Sequence, residues 1–165
     1  MRKLVFGIGT NNAEYNVEGC LYYRKWYNML RRCYRTPQHP AYIGVTVCKE
    51  WHRFNNFKTW MKDKEWEGLE LDKDLRVVGN KVYSPETCMF VPSELNNLLA
   101  RLGTNNYEQR PSGNWAVHTS IKNKKVGLGT YKTEAEAMEV VKLHRVERLK
   151  SFQPEYPTQP HIDMM

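Results

Sequence analysis

A polar segment at residues 103–112, GTNNYEQRPS, divides the sequence into two stretches, each of which can bury only a small core. We expect one domain in residues 1–102, a linker in residues 103–112 and a second domain in residues 113–150. The Pro-rich end, residues 151–165, has little to bury and is expected to be a flexible tail. We therefore do not expect a single large catalytic domain.

The spacing of apolar residues predicts three amphipathic helices in residues 1–102. Their apolar sides are Leu21, Trp26, Met29, Leu30 and Cys33 in the first helix, Phe54, Phe57, Trp60 and Met61 in the second, and Leu95, Leu98, Leu99 and Leu102 in the third. Before the third helix, β-prone runs at residues 71–78 and 81–83 flank a Gly79–Asn80 turn, a pattern that predicts a hairpin.

Residues 113–150 have the pattern of a small sheet backed by one helix. Apolar or β-branched residues alternate at Trp115, Val117 and Thr119, and a lysine-rich turn leads to a second short strand ending near Tyr131. Thr133 and Glu136 then form a capping-box signature for a helix. The residues expected to pack from this helix are Ala135, Ala137, Met138, Val141 and Leu143. The fold class is therefore predicted to be α+β.

The charge of the chain indicates an anionic partner. Its formal net charge is +7 with an isoelectric point near 9.2, and residues 101–150 carry ten Lys and Arg against five Asp and Glu. Basic side chains gain affinity for nucleic acid by releasing condensed counterions, and the five Trp and ten Tyr could add stacking. No apolar run approaches a membrane span, so we expect an intracellular, soluble protein that binds no membrane.

Two acidic residues in the predicted hairpin raise the question of metal chemistry. On an extended strand, Asp72 and Asp74 would share one face and Lys73 would take the other. Both carboxylates could then approach one Mg²⁺ or Mn²⁺ ion, which could activate water and offset charge on a phosphodiester. The alternative is a solvated hairpin edge with alternating charges, and the residues by themselves favour this alternative.

The four cysteines lack the spacing of a zinc ribbon or a redox motif. Reduced, buried thiols are the favoured interpretation. The less favoured alternative is a structural zinc held by some of Cys33, Cys48, Cys88, His39 and His52.

The runs WYNMLRRCY, VTVCKEWHRFNNFKTWM, LDKD and NKVYSPETCMFVP resemble phage-encoded HNH-type homing-endonuclease-like proteins over about residues 20–100. The resemblance implies a ββα-metal hairpin and helix that cleaves DNA at one divalent ion. It assigns Asp72 and Asp74 to the metal, and Asp72, Lys73 and Asn96 or Asn97 to catalysis. It also implies residence in the cytoplasm of a host cell.

The chain departs from this family at the centre of the motif. Lys73 stands where the family commonly has the water-activating His, and a lysine of ordinary pKa is protonated and cannot act as a general base. Thr87 replaces the usual middle Asn, and Phe90 replaces the Trp after the cysteine.

The segment GNWAVHTSIKNKKVGLGTYKTEAEAMEVV resembles the Apetala or ethylene-response-factor DNA-binding domain. The resemblance implies a three-stranded antiparallel sheet that lies in the major groove of DNA, with a helix packed behind it. The DNA-facing residues that it implies are Trp115, His118, Lys122, Lys124, Lys125 and Tyr131. From the residues alone, core roles for Trp115 and Tyr131 are equally open.

Two functions follow as hypotheses. The first is a phage HNH-type endonuclease that binds double-stranded DNA and cleaves phosphodiester bonds with one divalent metal ion. The second is a catalytically inactive DNA-binding protein on a degenerate HNH scaffold, acting as a regulator or as an inhibitor of a host protein. RNA as the target and a homodimer as the active form stay open at this point.

Overall fold

The computed structural model describes residues 4–36, 38–121 and 124–165, and the chain divides into two compact units, Met1–Phe90 and Val91–Met165. We call these the N-terminal unit and the C-terminal unit. Helices occur together with small sheets, one of which is three-stranded and antiparallel, so the predicted α+β class is confirmed. The division lies earlier than the expected boundary at residue 102, because residues 91–102 pack with the chain that follows them.

The described residues of the N-terminal unit form two α-helices and several very short strands. Its elements are α1 (Leu21–Tyr34), a 3₁₀ helix (Pro40–Tyr42), β1 (Thr46–Val47), a 3₁₀ helix (Lys49–His52), α2 (Phe54–Lys62), β2 (Glu70–Asp72), β3 (Val82–Tyr83) and β4 (Met89–Val91), whose last residue crosses the boundary.

Helix α1 buries the apolar side that its sequence predicts. Trp26, Met29, Leu30 and Cys33 are all buried, since residues three, four and seven apart fall on one helical face. Trp26 also donates its indole N–H to the backbone oxygen of Trp51 at 2.7 Å, so the polar atom of this fully buried ring is satisfied. Leu21, in the first turn, remains exposed.

Aromatic side chains from α2 complete the core of the N-terminal unit. Phe54, Phe57 and Met61 are fully buried, and the half-buried Trp60 ring lies 4.6 Å from the Trp51 ring. Truncating a buried phenylalanine to alanine commonly lowers the free energy of unfolding by about 3–5 kcal/mol. These aromatics therefore belong to the core, as their helical spacing predicts.

The strand pairing differs from the predicted hairpin. β1 pairs in parallel with β3, aligning Thr46 with Val82, and β2 pairs with β4. The Asn80 amide donates to the backbone oxygens of Lys73 and Val82, at 2.8 and 2.7 Å. Side-chain hydrogen bonds thus close this turn, and the two β-prone runs that flank it pair with other strands.

In the C-terminal unit, the part of the chain that the structure describes forms one sheet and three helices. Its elements are α3 (Ser93–Ala100), β5 (Tyr107–Gln109), β6 (Trp115–Ile121), β7 (Lys124–Tyr131), α4 (Glu134–Phe152) and α5 (Gln159–Ile162). The antiparallel sheet has the order β5-β6-β7, with a register irregularity between Val117 and His118. Strand β5 lies in residues 103–112, which were expected to be a linker, because its backbone pairs with β6 from Trp115 to Val117.

Helix α4 begins at the predicted capping box. The Thr133 hydroxyl accepts from the Glu136 backbone N–H, and the Glu136 carboxylate accepts from the Thr133 N–H. Ala137 and Val141 pack on Val117 of the sheet, whereas Met138 and Leu143 are each 53% exposed. Packing was expected of Met138, Leu143 and the likewise exposed Ala135 and is not observed, since all three lie off the face defined by Ala137 and Val141.

Residues 151–165, which were expected to be a flexible tail, contain the end of α4 and the short helix α5. Thr158 is fully buried and donates its hydroxyl to the backbone oxygen of Leu149 at 2.9 Å. Helix α5 follows directly, and its His161 is buried. Satisfied buried polar groups of this kind are not visible in composition alone.

Candidate functional site

Asp72 ends strand β2 and closes the turn that follows it. Its Oδ1 accepts hydrogen bonds from the backbone N–H groups of Asp74, at 2.9 Å, and Leu75, at 2.7 Å. Burial raises the pKa of this carboxyl, and the N–H of Leu75 acts in the opposite direction. The carboxylate therefore has a structural role as an acceptor in the turn.

Lys73 is buried, with 7% of its surface exposed. Its Nζ lies 2.7 Å from both carboxylate oxygens of Asp74 and 2.8 Å from the backbone oxygen of Asn80, and 5.9 Å from the centre of the Tyr83 ring. These three acceptors match the three N–H groups of an ammonium ion, which has no lone pair to accept a proton. The residue that the HNH resemblance places at a general-base position is therefore an ion-paired cation.

The two aspartates do not form the shared strand face that their spacing predicts. Strand β2 ends at Asp72, so Asp74 lies in the turn with its carboxylate on Lys73. No described residue donates a hydrogen bond to the second oxygen of Asp72, Oδ2. Across residues 4–36, 38–121 and 124–165, no group of three or more His, Cys, Asp or Glu is placed to hold a metal.

Three of the predicted site residues meet around a cavity of about 620 Å³ in the C-terminal unit. Asn97 of α3, His118 of β6 and Lys125 of β7 line it together. Asn96 lies on α3 as well, in a different compact unit from Asp72. Asn96 and Asn97 thus belong to the C-terminal unit, and Asp72, with which they were expected to act, belongs to the N-terminal unit.

Two imidazole nitrogens in this cavity are buried without a hydrogen-bond partner in the described part of the chain, His118 Nδ1 and His144 Nε2. Burial lowers the pKa of His144, and the charge of Arg148 lowers it further. Buried polar atoms are normally paired, so these two nitrogens are available to a ligand or to water.

Two arginines of α4 hold the walls of the cavity in place. The Arg145 guanidinium donates to the backbone oxygens of Arg101, Leu102 and Thr104, at the carboxyl end of α3. Arg148 donates to Glu94 at 2.6 Å and to the backbone oxygen of Ser120 at 3.3 Å. The sequence offered no signal for these interactions, because a polar helix side reads as a solvated surface.

The predicted DNA-facing residues divide into packed and exposed groups. Trp115 and Tyr131 are partly buried and pack on the Val117 cluster, and the Tyr131 hydroxyl donates to the backbone oxygen of Leu128 at 2.9 Å. Lys124 and Lys125 are exposed at the end of the β6–β7 hairpin. Lys122 lies outside the described residues.

The residues considered for a structural zinc have local explanations within the fold. All four cysteines are free thiols; burial raises the pKa of Cys33 to about 11 and that of Cys88 to about 12. His39 Nδ1 accepts from the Ala41 backbone N–H at 3.2 Å, and His52 Nε2 lies 3.0 Å from the backbone oxygen of Val47.

No known protein family, curated protein or solved structure matches this chain. Within the described ranges, the helices are all too short or too polar to cross a bilayer. The site must therefore be interpreted from its own geometry.

Proposed function

We propose that this protein binds double-stranded DNA in the cytoplasm of a host cell and does so without cutting it. The observation that carries the proposal is the β6–β7 hairpin, which presents Lys124 and Lys125 as exposed cations at the end of an antiparallel sheet. The major groove admits a two-stranded β-ribbon such as the β6–β7 hairpin, and lysines bind phosphates with release of counterions.

Lys125 is suited to exchange its partner for a phosphate. Its Nζ lies 3.3 Å from Glu108 Oε1, and both side chains are about 60% exposed. Exposed pairs of this type contribute only about 0–1 kcal/mol, so the pair can open at little cost. Trp115 and Tyr131 support the sheet from its packed side, and we assign DNA contact to the lysines instead.

Binding without cutting is favoured by the turn after β2. Asp72 is engaged by two backbone N–H groups, and the ammonium of Lys73 is engaged by Asp74 and Asn80. A general base needs a lone pair on the group that takes the proton, and an ammonium with three acceptors has none. The inactive-scaffold hypothesis therefore accounts for this geometry better than the endonuclease hypothesis.

The test is the salt dependence of binding to a DNA duplex of mixed sequence. Lys124→Gln/Lys125→Gln should bind more weakly, and the slope of log K against log salt should shrink by about 0.9 for each phosphate that is no longer neutralised. Lys142→Gln, at an exposed lysine of α4, is the control; it removes one positive charge where the double variant removes two, so the effects are compared per charge. Absence of DNA binding by the unmodified protein, or an equal weakening in the control per charge removed, would overturn the proposal.

A second candidate function is an HNH-type endonuclease with one divalent ion. It is favoured by Asp72 Oδ2, which receives no hydrogen bond from a described residue and could face an Mg²⁺ or Mn²⁺ ion. Supercoiled DNA incubated with either metal, against EDTA, tests it. Metal-dependent nicks that disappear in Asp72→Asn would establish cutting, and retarded but intact DNA would favour the binding function.

A further inference from the structure

One side of α1 carries basic residues that converge on a pocket in the N-terminal unit. Arg24, Asn28 and Arg32 are four residues apart and therefore stack on one helical face. With Lys25, they line a cavity of about 270 Å³ whose other wall is formed by Glu70 and Leu71 of β2.

The pocket holds more positive than negative charge. Its three cations face one carboxylate, and the one ion pair that the described residues form there, between Arg32 and Glu70, is loose at 3.9 Å. Lys25 donates to the backbone oxygen of Leu69, a neutral acceptor. Burial lowers the pKa of Lys25; the charge of Glu70 raises it, and those of Arg32 and Arg24 lower it further. An anion in the pocket would offset this repulsion.

We infer that the pocket formed by Arg24, Lys25, Asn28 and Arg32 binds a phosphate group. Arginine presents parallel N–H donors that match phosphate oxygens, and the Asn28 amide can add a neutral donor. The cavity is slightly smaller than ligand sites of about 300–1,000 Å³, which suits a single oxyanion better than a whole nucleotide. The phosphate belongs to the DNA backbone, an assignment that rests on the proposed function.

The first arm of the test uses inorganic phosphate and the full chain. Phosphate should raise the melting temperature saturably at constant ionic strength, and Arg24→Gln/Arg32→Gln should abolish this rise. The matched control, Arg31→Gln/Arg35→Gln, changes two exposed arginines at α1 that do not line the pocket, and it should keep the rise. No saturable rise in the unmodified protein, or no rise in the control, would overturn the phosphate site.

A single variant protects this arm from a folding artefact. Arg32 is partly buried, so its replacement could disturb α1, whereas Arg24 is exposed. Arg24→Gln should fold normally by circular dichroism and still weaken phosphate binding several-fold. Unchanged phosphate binding in Arg24→Gln would contradict the assignment of this residue and of the pocket.

The second arm uses duplex DNA and separates a backbone phosphate from free phosphate. The pocket variant should reduce the salt slope by about 0.9 for each phosphate bound by the pocket, relative to the Arg31/Arg35 control. If the pocket variant leaves the salt slope unchanged while the unmodified protein binds phosphate in the first arm, the pocket binds a free oxyanion and the DNA contact is overturned. If the unmodified protein binds phosphate and no DNA, the proposed function fails while the pocket stands.

Discussion

Asp72 Oδ1 lies 2.7 Å from the backbone nitrogen of Leu75, a residue with no exposed surface. The same oxygen also holds the N–H of Asp74, so one carboxylate oxygen satisfies two donors. An acceptor that serves a buried donor is expensive to remove, because the donor cannot turn to water. A substitution at Asp72 that removes this oxygen is therefore expected to change the stability of the fold.

We predict that Asp72→Ala lowers the free energy of unfolding by about 1–3 kcal/mol, since it strands a buried N–H group. Asp72→Asn keeps a side-chain oxygen at the same place and should be much less destabilised. Urea denaturation measures both. Asp63→Ala, at an exposed aspartate, is the control and should change stability by less than about 0.5 kcal/mol. Equal stability of the Ala and Asn variants would show that the turn does not need this acceptor.

We predict that stability falls as the medium is acidified through the pKa of unfolded histidine. Burial lowers the pKa of folded His144 below its ordinary value, so the folded state favours the neutral ring. The contribution of neutral His144 to the free energy of unfolding is fully present above about pH 6.5. It declines progressively below that value, where the unfolded chain binds the proton first. Urea titrations between about pH 7.5 and 5.5 measure this slope. His144→Gln should flatten it, and an unchanged slope would assign the effect elsewhere.

We predict that Cys33 and Cys88 resist alkylation in the folded protein. Burial raises the pKa of the Cys33 thiol to about 11 and that of Cys88 to about 12, so both are protonated near neutral pH. Cys20 and Cys48 are only partly buried and should react with iodoacetamide first, as mass spectrometry would resolve. Rapid labelling of Cys33 would contradict this prediction. Repeating the reaction with EDTA separates burial from zinc, because only zinc ligation would yield to a chelator.

We predict that Gly9→Ala destabilises the protein by about 1–3 kcal/mol through overpacking. A methyl group at Gly9 would overlap Leu30 and come within 2.9 Å of the Trp26 ring, both of which are fully buried. Gly103→Ala is a matched control, since a methyl group there meets no atom within 4 Å. Thermal unfolding of the two variants compares them directly. Equal melting temperatures would mean that the core near α1 can relax.

Local patterns predicted those parts of the fold that depend on neighbouring residues in the chain. The buried side of α1 follows from the spacing of Trp26, Met29, Leu30 and Cys33. The start of α4 follows from the Thr133 capping box, whose hydrogen bonds join residues three apart. In both cases the energy that selects the structure acts within a few residues of sequence.

Long-range pairing could not be predicted in the same way. Strand β5 contains Tyr107, Glu108 and Gln109, and only its backbone ladder to β6 makes it a strand. Strands β1 and β3 are two residues long, so side-chain alternation carries almost no signal for their parallel pairing. These elements are selected by tertiary interactions that override local propensity.

The candidate sites show the same limit. The sequence identified Asp72 and Lys73 as candidates, but the burial of Lys73 against Asp74 and Asn80 was open. Likewise, Asn97, His118 and Lys125 were singled out separately, and only the fold brings them to one cavity. The sequence gives the type of each residue, whereas the ion-pair and hydrogen-bond partners of a charged group are set by the tertiary structure.

The hydrogen bonds between Arg145 and the end of α3 also bear on the order in which the C-terminal unit assembles. The Arg145 guanidinium reaches the backbone oxygen of Leu102, 43 residues earlier in the chain. During translation, the carboxyl end of α3 therefore emerges long before the cation that caps it. A ribosome-bound chain that ends before Arg145 should hold α3 only as a fraying helix, and the helix would become fixed once α4 is released.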